Sequence, residues 1–117
     1  MTFVMFAATT LLAASPQAAS SFQAADAALN AQYRRTLAQA QRLDRGGRPT
    51  DGGPTYAAAL LAAQRAWIGF RDAECRIASY QYRGGSAQGM VHRDCLTRIT
   101  RQRTADLRTL QQSLTPL

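Results

Sequence analysis

The chain has 117 residues, among them 14 arginines, no lysine, seven acids and one histidine, for a formal net charge of +7. That length holds one domain and no more. A single histidine excludes a metal site built from several imidazoles, and the positive balance directs the chain toward anionic surfaces.

The N-terminus opens on an uncharged apolar run, Phe3-Val-Met-Phe-Ala-Ala-Thr-Thr-Leu-Leu-Ala-Ala14, followed by Ser15-Pro16 and small residues. This pattern predicts a secretory signal over 1–20, with cleavage near Ala18-Ala19-Ser20. The run is too short for a permanent membrane-spanning helix. No Lys or Arg precedes it, which a start codon assigned too far downstream would explain. An N-terminal helix packed on the core is the competing reading. No cysteine stands near the cleavage region to carry a lipid anchor.

The predicted domain, 21–117, begins with a helix from about Ser21 to Leu43. Phe22, Ala25, Leu29, Tyr33, Leu37, Ala40 and Leu43 recur at steps of three and four, forming one apolar stripe. The connection 44–54 carries four glycines and two prolines and continues neither helix nor strand. A second helix is expected from Thr55, a good N-cap, with Tyr56, Leu60, Gln64, Trp67, Arg71 and Cys75 on one face. It is broken at Gly84-Gly85. The third runs from about Met90 to Leu114, before Pro116, with a stripe of Cys95, Ile99, Arg103, Leu107 (or Asp106), Leu110 and Leu114. The expected fold is therefore all-α, a three-helix antiparallel bundle.

Cys75 and Cys95 are the only cysteines. In an oxidising compartment they can pair, joining helices two and three as a disulfide-linked hairpin; in the cytosol they would stay reduced as buried thiols. Pairing fixes a register in which facing residue numbers sum to about 170. Arg71 then meets Ile99, Trp67 meets Arg103, Gln64 meets Asp106, Leu60 meets Leu110, Tyr56 meets Leu114, and Arg98 lies across from Asp72. Arg103 over Trp67 would form a cation–π pair worth about 0.5–2 kcal/mol. Gln64, Trp67, Arg71 and Arg103 are thus expected to be architectural.

Catalysis has little support. Cys75 and Cys95 lack redox spacing, His92 and Asp94 fall on different helix faces, and Glu74 is the only glutamate. An enzyme is not expected, nor is a cofactor or a metal. The loop Tyr80-Gln-Tyr-Arg-Gly-Gly-Ser86 is a better place for function. Tyr80, Tyr82, Arg83 and Ser86 sit on a segment tied at its base, and Tyr and Arg are enriched in binding hot spots. The opposing reading, held equal, packs both tyrosines on the first helix and leaves the glycines only to turn the chain. A single Arg-Gly-Gly is too little to indicate nucleic acid.

The pattern Leu60-x-x-Ala63-Gln64-x-x-Trp67-Ile68-x-Phe70-Arg71-Asp72-x-Glu74-Cys75, then Gly84-Gly85-Ser86, then Cys95-Leu96 with Thr100, Arg103, Thr104 and Leu107, resembles the LprI-like lysozyme-inhibitor family. Leu29-Asn30, Tyr33 and Leu37 resemble its opening helix. The resemblance implies a small, exported, helical, cystine-containing bacterial domain, periplasmic or secreted, whose partner is lysozyme or another cell-wall hydrolase. The lipobox cysteine of lipoprotein members is missing, which implies a soluble form. The alternative from another class is an envelope protein binding anionic cell-wall or lipopolysaccharide groups through arginine.

Overall fold

The computed structural model describes residues 17–115, and side chains from 21 to 115. The expected signal segment lies outside them, apart from residues 17–20, whose backbone forms the first turn of a helix. The described chain contains three α-helices, α1 (Gln17–Asp44), α2 (Tyr56–Ser79) and α3 (Gln88–Ser113), and a short 3-10 turn over Tyr80–Tyr82, with no strand. None of these helices is long and apolar enough to cross a membrane.

Both ends of the glycine-rich connection are pinned by side chains. Thr55 has extended backbone and its hydroxyl accepts from the N–H of Ala58, as an N-cap does. Asp44, the last residue of α1, reaches across the connection. Its two carboxylate oxygens accept from the N–H groups of Tyr56 at 2.8 Å and Ala57 at 3.0 Å. One carboxylate thus satisfies two of the free donors at the α2 N-terminus and places negative charge at the positive end of its dipole.

Leu29, Ala40, Leu60 and Leu107 form the apolar core, with Tyr33, Leu37, Ala57 and Trp67 packed against it. The α1–α3 seam is more polar than the expected stripe. Gln32, Thr36 and Gln39 on α1 are buried, as are Thr97, Thr100 and Thr104 on α3. Each group has a partner, which is what makes the burial tolerable. Thr36 donates to the carbonyls of Gln32 and Leu107. Gln32 Nε2 donates to Gln111 Oε1 at 2.7 Å, and Gln39 Nε2 to the Leu114 carbonyl at 3.0 Å. Thr97 and Thr104 turn their hydroxyls back onto carbonyls four residues earlier, leaving methyl groups to pack.

Cys75 and Cys95 form a disulfide with Cα atoms 5.4 Å apart. Beyond it, partner numbers fall along α2 as they rise along α3: Arg71 Nη1 lies 3.5 Å from Thr100 Oγ1, and Arg103 Nε donates to Gln64 Oε1 at 3.0 Å. The paired numbers sum to 170 at the disulfide, 171 at Arg71 and 167 at Gln64. Single pairs of the expected register therefore change. Gln64 takes Arg103 rather than Asp106, which is exposed and bonds Gln102. Leu60 shares the core with Leu107, while Leu110 and Tyr56 stand exposed. Arg71 reaches Thr100 rather than Ile99, and Asp72 pairs with Arg71 on its own helix rather than with Arg98. Straight helices that cross at an angle drift in register away from a fixed crosslink.

Candidate functional site

Gln64, Trp67, Arg71 and Arg103 come together between α2 and α3. Two guanidinium groups lie near the Trp67 ring, Arg71 Cζ 5.1 Å and Arg103 Cζ 5.9 Å from its centroid. Arg71 also lies 5.6 Å from the ring of Phe22, so α1 joins the stack. The Trp67–Arg103 contact follows from the register. The Arg71–Trp67 contact was missed, although a four-residue spacing on one helix signals it.

Arg71 spends its charge on Asp72, its Nε 3.0 Å from Oδ1, while only 12% of its side chain is exposed. Arg103 is less well served. Nε is bonded to Gln64, but Nη2 is buried without a partner. Burial lowers its pKa, and the Asp106 carboxylate acts in the opposite direction.

The second cluster lies beyond the disulfide. Tyr80 and Tyr82 bracket the 3-10 turn, whose last N–H contact runs from Arg83 to the Tyr80 carbonyl at 3.1 Å. The Arg83 guanidinium folds back over the Tyr80 ring, Cζ 4.1 Å from the centroid. Tyr82, Arg83 and Ser86 are exposed, and Tyr80 is half-buried. Gly84 turns the chain with φ +79°, which favours glycine, and its N–H donates to Gln88 Oε1 at 3.1 Å. The loop is short, braced at both ends and presents an arginine fixed on a tyrosine face.

Beside it, Arg76, Ser79, Gly85, Gln88, Gly89 and His92 line an open groove with no carboxylate among them. Arg76 was not singled out in the sequence and His92 was weighed only for catalysis, because the two stand sixteen residues apart on different helices. Among the described residues, no group of three or more His, Cys, Asp or Glu side chains is placed to hold a metal ion.

A family model described as lysozyme inhibitor LprI matches residues 7–107, which contain both cysteines, the arginine–tryptophan stack and the loop. A relative from Rhizobium meliloti (strain 1021), described as uncharacterized protein R02472, is 45% identical over 95 residues, 79% of this chain and 67% of the relative. No solved structure matches the chain.

Proposed function

The chain belongs to the LprI lysozyme-inhibitor family, and from that premise we propose that it is a small exported, non-catalytic binding protein that inhibits lysozyme or a related cell-wall hydrolase. In this reading residues 1–20 are a secretory signal and the protein works in the periplasm or outside the cell. The oxidised α2–α3 pair is an antiparallel hairpin that serves as the scaffold. Gln64, Trp67, Arg71 and Arg103 hold that hairpin, and Tyr80, Tyr82, Arg83 and Ser86 at its tip meet the partner.

The observation that carries the reading is the braced loop. Arg83 is held on Tyr80 at 4.1 Å beside an exposed Tyr82, immediately outside the disulfide. Such a loop loses little freedom on binding, which favours affinity. Hydrolases that cleave glycosidic bonds carry a pair of carboxylates in their cleft, and an arginine on a protruding loop is suited to enter it. Long-range charge works against this approach, because animal-type lysozymes are themselves basic and the chain carries +7. Inhibition therefore rests on local complementarity, without electrostatic steering.

The test is turbidimetric lysis of bacterial cell walls by several lysozyme classes in the presence of the oxidised protein. Inhibition by the parent and its loss in a Tyr82→Ala, Arg83→Ala variant are expected. Undiminished lysis by every class at micromolar protein would refute the inhibitor role.

A second reading has its own observation, the carboxylate-free groove of Arg76, Gln88 and His92. It suits binding of anionic cell-wall or lipopolysaccharide groups. Salt separates the two: polyanion binding falls steeply between low and moderate ionic strength, whereas a repelled basic partner binds better as salt rises.

A further inference from the structure

The outward side of α2 carries a pattern that the fold of the single chain leaves unused. Tyr56, Ala63, Phe70 and Ile77 alternate with Ala59, Ala66 and Ala73 in strict steps of three and four, the repeat of a helix that packs along another helix. All seven are exposed, and among the described residues no element covers them. Tyr56 is 49%, Phe70 57% and Ile77 58% exposed. The buried residues of the same helix, Leu60, Gln64, Cys75 and Ser79, occupy a different face.

Gly69 is the second observation. It stands inside α2, where glycine costs about 1 kcal/mol relative to alanine. A Cβ added there would meet no atom within 4 Å, and its φ does not require glycine. Among the described residues, nothing in the packing accounts for it. Gly69 and Ala62 flank the stripe on one side, a low shoulder over which a second helix can approach closely.

Read in the reverse direction, the stripe complements itself. If two α2 helices meet antiparallel about a two-fold axis at Ala66, Phe70 of each copy falls on Ala63 of the other. Tyr56 falls on Ile77, Ala59 on Ala73, and the Gly69 backbone lies opposite Ala63. Large residues meet small ones near the centre, the arrangement that fills a seam without voids, and the contact is isologous, so it closes at two copies. Parallel pairing would instead set Phe70 against Phe70 and Ala63 against Ala63, crowding one layer and emptying another. We propose that this chain self-associates through α2, two copies packing their Tyr56–Ile77 stripes antiparallel to form a weak dimer.

The footprint decides that it is weak. Twenty-two helical residues span about 33 Å, and a contact about one helix wide covers on the order of 300–400 Å² per copy. A standard stable interface buries about 800 Å² per partner. Each copy also carries +7, so the dimer tightens as salt screens the repulsion. This inference does not depend on lysozyme inhibition.

Sedimentation equilibrium of the oxidised protein tests it, over roughly 10 µM to 1 mM, the range that a sub-standard footprint suits. The expected result is an average mass rising from one chain toward two with concentration. Association should strengthen between about 20 mM and about 300 mM salt, over which the screening length falls roughly fourfold. Ala66→Glu, which sets two carboxylates on the axis, should weaken association at least tenfold with the far-ultraviolet circular dichroism unchanged. Arg65→Gln, off the stripe, should associate as the parent does. A parent that stays one chain at the highest concentration and salt overturns the proposal. So does a dimer that Ala66→Glu leaves intact, which would place the contact elsewhere.

Discussion

Arg103 donates from Nε to Gln64 Oε1 at 3.0 Å, while its buried Nη2 has no partner among the described residues. Among the described residues, Gln64 is thus the one side-chain acceptor bonded to this guanidinium, and Trp67 offers its ring face. Gln64→Leu should destabilise the fold by about 1–2 kcal/mol, because it strands a cation rather than because one neutral bond is lost. Adding Arg103→Met should recover most of that loss, since a matched apolar pair removes the desolvation problem altogether. Urea denaturation of the two single variants and the double variant measures the coupling; simple additivity would show that the pair does not act as a unit.

Reducing the disulfide should cost about 3 kcal/mol for a crosslink of sequence separation 20 in the chain-entropy account. Thermal unfolding with and without a reductant gives the number. A Cys75→Ala, Cys95→Ala variant that matches the parent would show that the helix contacts alone are sufficient.

Asp44→Ala removes a carboxylate that caps α2 from the end of α1. The expected loss is about 1 kcal/mol, as for other N-cap deletions. Asp44→Asn should fall between, keeping an acceptor but losing the charge–dipole attraction. Thr55→Ala acts on the same helix end through Ala58, so its effect and that of Asp44→Ala should not add; chemical denaturation of the double variant checks this.

Tyr82→Ala and Arg83→Ala should each leave stability within about 0.5 kcal/mol, because both side chains are exposed. If the loop is the binding element, each should raise the concentration needed for half-inhibition of lysozyme about tenfold or more, in keeping with hot-spot behaviour. Measuring both quantities on the same preparations separates a lost contact from a lost fold.

Much of the architecture can be read from residue spacing. The three helices, the Thr55 cap, the Cys75–Cys95 disulfide and the Trp67–Arg103 contact all follow from apolar periodicity and one crosslink. The α1–α3 seam does not. Gln32, Thr36, Gln39, Thr97, Thr100 and Thr104 look like surface residues in a hydropathy pattern, yet they are buried. What permits it is local: threonine hydroxyls satisfied by the preceding turn expose only methyl groups, a bond that no sequence period reveals. Asp44 was likewise read as the start of a loose connection, because its partners lie 12 and 13 residues away. In the loop, the residue types pointed to recognition, but Arg83 lying on Tyr80 depends on a 3-10 turn that the sequence pattern blurred into the end of the second helix.

The span from Arg45 to Pro54 lies between two anchors, Asp44 and Thr55, that hold α2 in place without it. Its own length then carries little energetic weight, since each doubling of a flexible loop costs only about 0.6 kcal/mol. This is the natural point at which to graft a reporter peptide or a second module. A tag inserted there lies the length of α2 away from the hairpin tip, so the protein can be followed in the cell with the loop untouched.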